Sequence, residues 1–345
     1  MSRALEKEVL EALNKGDPRK VFDEILQVFE SPEKDGALLE FEFLGKAHLP
    51  PPGVFVLRDG KAIGLSKLHV FQAFGVAYQA LRRSASADGH LGRALSTEEL
   101  RRATAILLLS DPEHLTAANC RKRALLQDIC DGREIALCLS QEKYFLDSLL
   151  TSRLHRHTKS PTLWSHRRWL LGLFRKHGIA FDVTSDLRQV VFVSGERHPR
   201  NYYAWCHARW LLTNLDEKNS EAIVGGIIGD VEGWCLKHHD DISGWSFLHR
   251  LLSGGWLSKS GQEEECSRVF GSVLRMAESF HWRNESVWWF LHAVVADGLL
   301  RHADLSLLRE TGGRMFTHLA EEQGNTRLAR RWFQEFEQQS KGLGS

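Results

Sequence analysis

The sequence predicts an all-α protein, an α-α superhelix of about five stacked helical hairpins. Three observations predict it. First, a tryptophan-centred helix signature returns along the chain, at Ser160–Leu171, Asn201–Leu212, Asp241–Leu252 and, in a weaker form, Asn284–Val295. Second, its anchors Trp164, Trp205, Trp245 and Trp288 are spaced 41, 40 and 43 residues apart, and a fixed period in that range means units that bury their apolar faces against their neighbours. Third, an amphipathic stretch precedes each signature, so that each unit reads as two helices.

The elements follow in order. Residues 1–30 read as a charged amphipathic helix. Residues 49–64 carry Pro50-Pro51-Pro52-Gly53 and two further glycines, which predicts a loop or a short extended segment. Residues 65–83 read as a helix. Ser96-Thr97-Glu98-Glu99 is a capping box that opens a helix running to Ser110. A first signature copy, Leu115–Leu126, has Asn119 at the anchor position. Helical stretches at 134–157, 186–197, 219–237 and 262–282 precede the four tryptophan copies. Ser160-Pro161 pairs a helix cap with proline at the first helical position, and Asp241 and Asn284 are further caps. Gly225-Gly226 and Gly254-Gly255 read as helix ends. Residues 304–339 form a polar helix that caps the last unit. Three regions result: a helical and loop region at 1–95, the repeats at 96–300, and a capping helix and tail at 301–345.

Arg123, Arg168, Arg209, His249 and His292 each follow their anchor position by four residues, the spacing that puts two side chains on one helix face. A cation over an indole gains about 0.5–1 kcal/mol when exposed. This reads as packing, with Trp164, Arg168, Trp205, Arg209, Trp245, His249, Trp288 and His292 as structural anchors.

Composition narrows the function. The chain has 345 residues with 45 basic and 44 acidic side chains, a net charge of +1 that gives no bulk reason for nucleic-acid or membrane binding. Its six cysteines form no C-x-x-C pair and no zinc spacing, and read as reduced thiols in a cytoplasmic protein. The charged start is wrong for a signal peptide, no apolar run is long enough to span a bilayer, and the last residues carry no prenylation cysteine. His155, His157, His198, His207, His238 and His239 lack carboxylate or cysteine companions at ligand spacing, so no metal site is expected in this chain. The basic pairs in Arg121-Lys122-Arg123 and Arg167-Arg168 fit either an acidic partner or solvent.

The signature resembles the protein prenyltransferase α-subunit repeat, roughly P-x-N-Y-x-x-W-x-x-R-R-x-x-L on the second helix of each hairpin. His198-Pro199-Arg200-Asn201-Tyr202-Tyr203-Ala204-Trp205, with Arg209 and Leu212, matches it, as does Trp164-Ser165-His166-Arg167-Arg168-Trp169-Leu170-Leu171. The resemblance covers about residues 96–300. It implies a right-handed crescent that wraps a separate β subunit, the β subunit holding a zinc ion and most of the isoprenoid pocket. On that reading this chain is a non-catalytic α-like subunit of a protein geranylgeranyltransferase. It binds no cofactor itself and shares geranylgeranyl diphosphate with its partner, expected to be the β subunit of Rab geranylgeranyltransferase. The acceptor would be a C-terminal cysteine of a small GTPase or SNARE.

The resemblance also implies substrate contacts. The repeat's diphosphate lysine falls on Lys159, although Ser160-Pro161 replaces Asn-Tyr there. The next copy offers Arg200, Asn201, Tyr202 and Tyr203, a cation and phenols suited to charge leaving on pyrophosphate. The competing reading makes Asn201 a helix cap and Tyr202 a packing residue. A second function class is a helical-repeat scaffold for protein–protein interaction without transferase activity; a tetratricopeptide version is opposed by the repeat length. A stand-alone enzyme is disfavoured because no catalytic cluster stands out.

Overall fold

A computed structural model describes residues 16–30, 36–45, 50–85, 95–215, 220–316, 330–336 and 338. Parts of the sequence-predicted terminal helices, residues 1–15 and 317–329, lie outside them. The chain divides into two compact units, one of residues 1–182 with 193–198, the other of 183–192 with 199–345.

The first unit opens with α1 (Pro18–Glu30), whose buried side is Val21, Phe22, Ile25, Leu26 and Val28. A small sheet follows: β1 (Glu40–Leu44), β2 (Val56–Asp59) and β3 (Ala62–Ser66) in the order β1-β3-β2. β1 runs parallel to β3 and β2 antiparallel to it. β2 and most of β3 fall in the 49–64 segment that the sequence offers as a loop or a short extended segment, whereas β1 is an addition to the helical and loop reading of this region. Its signal is the alternation Glu40-Phe41-Glu42-Phe43, which has the period of two of a half-buried strand. Two serines, one near the end of a neighbouring helix and one just beyond it, occupy the amides of this segment. Leu39 N–H donates to Ser148 Oγ (3.1 Å) and Phe41 N–H to Ser152 Oγ (3.0 Å). Phe41 is fully buried and its ring lies 4.9 Å from that of Phe29.

Helix α2 (Lys67–Ala85) packs on α1 and on α3 (Thr97–Ser110). The Ser96–Glu99 capping box is present, with both reciprocal bonds made. Two hairpins complete the unit. One pairs α3 with α4 (Leu115–Cys130); the other pairs α5 (Ile135–Leu150), through the short α6 (His155–Thr158), with α7 (Pro161–Lys176). After α7, the single turn α8 (Val183–Asp186), a π-turn at Leu187–Phe192 and α9 (Val193–Arg197) take the place of one regular helix.

The second unit holds α10 (Tyr202–Leu212), α11 (Ser220–Lys237), α12 (Ile242–Ser253), α13 (Lys259–Ser279), α14 (Glu285–Ala296) and α15 (His302–Phe316). α11 pairs with α12 and α13 with α14, while α10, α12 and α14 pack side by side. α15 lies on α13, and Phe316 closes over Trp288 with 4.7 Å between ring centroids. Gly254 and Gly255 end α12, the latter at φ +74°, a conformation that favours glycine. Gly225 and Gly226 instead lie inside α11, where the buried Val224, Ile227 and Ile228 hold the helix through them.

Candidate functional site

The residues singled out for substrate contact lie in the turns that enter the signature helices or, for Tyr202 and Tyr203, at the start of the helix itself, and the tryptophans shape those turns. Trp164, Trp205 and Trp245 are fully buried and Trp288 nearly so. In three copies the indole N–H reaches back six residues to a turn carbonyl: Trp164 to Thr158 (2.8 Å), Trp245 to His239 (2.9 Å) and Trp288 to Trp282 (2.8 Å). Such a bond satisfies the buried donor and clamps the chain just before the helix starts. The Trp205 copy departs from the rule. Its indole nitrogen is buried with no hydrogen-bond partner, and Arg200 in the preceding turn adopts a left-handed φ of 58°.

The residue four positions before the anchor has two tasks at Ser160 and Asp241. Ser160 Oγ accepts from Leu163 N–H (3.1 Å) and donates to the Pro112 carbonyl of the preceding turn (3.2 Å). Asp241 Oδ1 caps α12 by accepting from Ser243 N–H, while Oδ2 accepts from Arg200 N–H (2.7 Å). Asn284 makes no such cap bond; its Nδ2 donates to His239 O (2.5 Å). The turns at Ser160, Asp241 and Asn284 are thus each tied to the turn before.

The residues four beyond the anchors do something different from the stacking expected of them. Arg209 donates to Ser246 Oγ on the next signature helix (2.9 Å). His249 pairs with Asp297 (2.8 Å) and meets Trp289 edge-on at 5.8 Å. His292 stacks on Trp332 at 5.9 Å. The anchor rings are taken up by other aromatic partners: Trp205 by Trp234 and Phe247, Trp245 by Phe290 and Trp288 by Phe316. Arg168 is half-buried.

Among the predicted contact residues, Lys159 is exposed, directly after the Thr158 carbonyl held by Trp164. Next to it in the first unit, His155 Nε2 and His198 Nδ1 are 3.3 Å apart with the rings edge to face. Burial, then His155 and Lys159, hold the His198 pKa below the ordinary histidine value. Lys159 gives this corner its positive charge, and the two imidazoles beside it can offer ring N–H groups to a phosphate-type anion. In the second unit, Asn201 is buried and caps α10, its Oδ1 accepting from Ala204 N–H (3.2 Å). Tyr202 is 66% exposed and meets Tyr203 edge to face at 5.5 Å. A hydrogen bond with Cys206 raises the Tyr202 pKa. The capping reading therefore holds for Asn201, whereas Tyr202 is not packed away.

The sequence reading missed a set of buried carboxylates on the first helices of the hairpins. Glu142 takes the Arg121 Nε–H at 2.8 Å and lies 3.4 Å from His166. Asp147 takes Arg167 Nε–H at 2.7 Å. Asp186 lies 3.9 Å from His207. Burial, then Lys122 and Arg121, drives the His166 pKa well below its ordinary value and keeps the ring neutral. The signal was present: Glu142 and Asp147 interrupt the apolar face of α5, and the basic residues recur two and three positions after the anchors. Among the described residues no three His, Cys, Asp or Glu side chains converge as metal ligands.

Tryptophan-clamped turns, cap-to-turn links and paired helices define a helical-repeat protein whose exposed chemistry lies at the turns. Residues 147–174 match the protein prenyltransferase alpha subunit repeat, and residues 163–274 match the ECM9 middle domain. Over 176 residues the chain is 28% identical to protein prenyltransferase alpha subunit repeat-containing protein 1 of Danio rerio. That match covers 46% of this chain and 38% of the relative, well under two thirds of the relative's length. Residues 147–174 therefore match the protein prenyltransferase α-subunit repeat that the signature resembles.

Proposed function

We propose that this chain is a non-catalytic α-like subunit of a protein geranylgeranyltransferase, acting in the cytoplasm. The observation that carries the reading is the turn before Trp164. It lies inside the matched repeat and holds Lys159 exposed beside His155 and His198. On this reading a β subunit, that of a Rab geranylgeranyltransferase or its like, supplies the zinc that activates the acceptor cysteine as a thiolate. It also supplies most of the geranylgeranyl diphosphate pocket. This chain braces the partner, and its first unit offers Lys159 to the diphosphate as charge develops on it; Arg200, Tyr202 and Tyr203 are the second unit's own candidate contacts. Asn201 acts through α10 by fixing the start of the helix that carries the two tyrosines. The acceptor is a small GTPase or SNARE with a C-terminal cysteine.

Co-expression with that β subunit tests the proposal. A 1:1 complex that survives gel filtration at micromolar concentration and transfers isoprenoid supports it. Separate elution overturns it and leaves the scaffold reading. Lys159→Ala is expected to keep the complex intact and lower turnover about tenfold or more, as loss of a preorganised charge contact does. Unchanged turnover removes Lys159 from the site.

A further inference from the structure

One helix of the first unit presents a surface that the repeat reading does not use. α2 contains Lys67, His69, Arg82 and Arg83 and no acidic residue. Its inner side, Val70, Ala73 and Ala77, is buried against the unit. On its outer side Phe71 is 59% exposed, Tyr78 42% and Leu68 39%, although all three are large and mostly apolar. The half-buried Phe74 stacks on Tyr78 with 5.8 Å between centroids, and the Arg82 guanidinium lies 5.9 Å above the Tyr78 ring. The apolar strip continues onto the loop and strand beside it. Phe55 meets His69 edge-on at 5.1 Å, and Val54 and Leu57 are exposed at its flanks. Lys67 bounds the strip at the start of the helix and Arg82 and Arg83 bound it at the end. Acidic groups near the strip include Asp59 on β2 and Glu24 on α1, which acts on His69; Asp17 and Asp23 line the cleft between α1 and β2 with Glu24, and Arg19, Lys20 and Arg58 accompany them.

We propose that this face of α2 docks on an anionic lipid bilayer. Leu68, Phe71 and Tyr78 would enter the boundary between headgroups and acyl chains, with Lys67, Arg82 and Arg83 against lipid phosphates. An apolar face ringed by Lys and Arg is the pattern of helices that lie in a membrane interface. The charge balance points the same way, since an acid-free helix is attracted by a negatively charged surface.

Co-sedimentation of the full chain with vesicles tests this independently of any prenyltransferase partner. The chain is expected to sediment with phosphatidylserine-containing phosphatidylcholine vesicles, to bind pure phosphatidylcholine vesicles far less, and to be released by salt. Each basic residue removed should lower partitioning about fivefold, so Lys67→Gln with Arg83→Gln should lower it about 25-fold. Leu68→Ser with Phe71→Ser should abolish most binding while leaving thermal unfolding unchanged, because both side chains are exposed. Absence of sedimentation with anionic vesicles overturns the proposal. So does wild-type binding by both double variants. Capture of an acidic polypeptide such as polyglutamate without vesicle binding also overturns it and assigns the face to a protein partner.

Discussion

Replacing a tryptophan by phenylalanine keeps an aromatic ring in the core and removes only the indole N–H and part of its area. In Trp245→Phe the bond to His239 O is lost. In Trp205→Phe no such bond exists to lose. Trp245→Phe should therefore destabilise the protein by about 1 kcal/mol more than Trp205→Phe, a difference readable in urea unfolding. Equal costs would show that the clamp contributes nothing. His157 supplies a second test at this scale. It is 2% exposed, and its Nε2–H donates to the carbonyls of Leu108 (3.1 Å) and Leu109 (3.0 Å). Burial first, opposed by those bonds, lowers its pKa from 6.5 to about 4. Between those values the unfolded chain takes up the proton and the folded chain does not. The stabilisation is full above pH 6.5, falls as the pH drops, and is lost by about pH 4, a change of about 3 kcal/mol. His157→Gln should flatten that part of the stability–pH curve; an unaltered slope would assign the acid sensitivity elsewhere.

Helix pairs in the first unit meet across charge as well as apolar surface. Arg167 is fully buried on α7 and faces Asp147 on α5, which also takes Lys143 at 2.6 Å. Taking both charges from water is costly, so the pair itself adds little net stability. Breaking it is another matter, because a buried carboxylate is left short of a partner. Arg167→Met should cost about 3–5 kcal/mol, and the double change with Asp147→Leu should recover much of that. A double variant no more stable than the single one would show that the pair's value lies in packing around the guanidinium. In the second unit the close approach of α11 and α12 depends on glycine. A methyl on Gly244 would come within 2.6 Å of the Trp234 ring. That crowding explains why glycine precedes this anchor, where Leu163, Ala204 and Val287 precede the others.

Taken whole, the described residues hold no metal-ligand cluster, and no helix among them is long and apolar enough to cross a membrane. Stability therefore rests on packing and on hydrogen bonds at the turns. A chelator should leave the melting temperature of the isolated chain unchanged, since no structural ion would be withdrawn; a drop of several degrees would reveal a metal site. The repeats were legible because a buried indole every 40–43 residues survives in any reading of the chain. The capping box at Ser96–Glu99 and the caps at Ser160, Asn201 and Asp241 were legible because capping is local chemistry. The β1 strand escaped notice because two alternations of phenylalanine are a short signal beside long helical patterns. The destination of the side chains at Arg209, His249 and His292 escaped for another reason. Spacing along one helix says which face a residue shares, but not whether its long side chain folds back or reaches the next helix.

The amino-acid sequence by itself determined the all-α repeat class, the hairpin period and the main caps. These follow from periodicity and from contacts a few residues apart. The tertiary structure decided what lies across hairpins: the Asp241 link to Arg200, the Glu142 and Asp147 ion pairs, the His155–His198 contact, and the unpartnered indole of Trp205. Each joins residues 20 or more positions apart or depends on how a turn is seated, and nothing in the local chain encodes where such partners meet until the helices have packed.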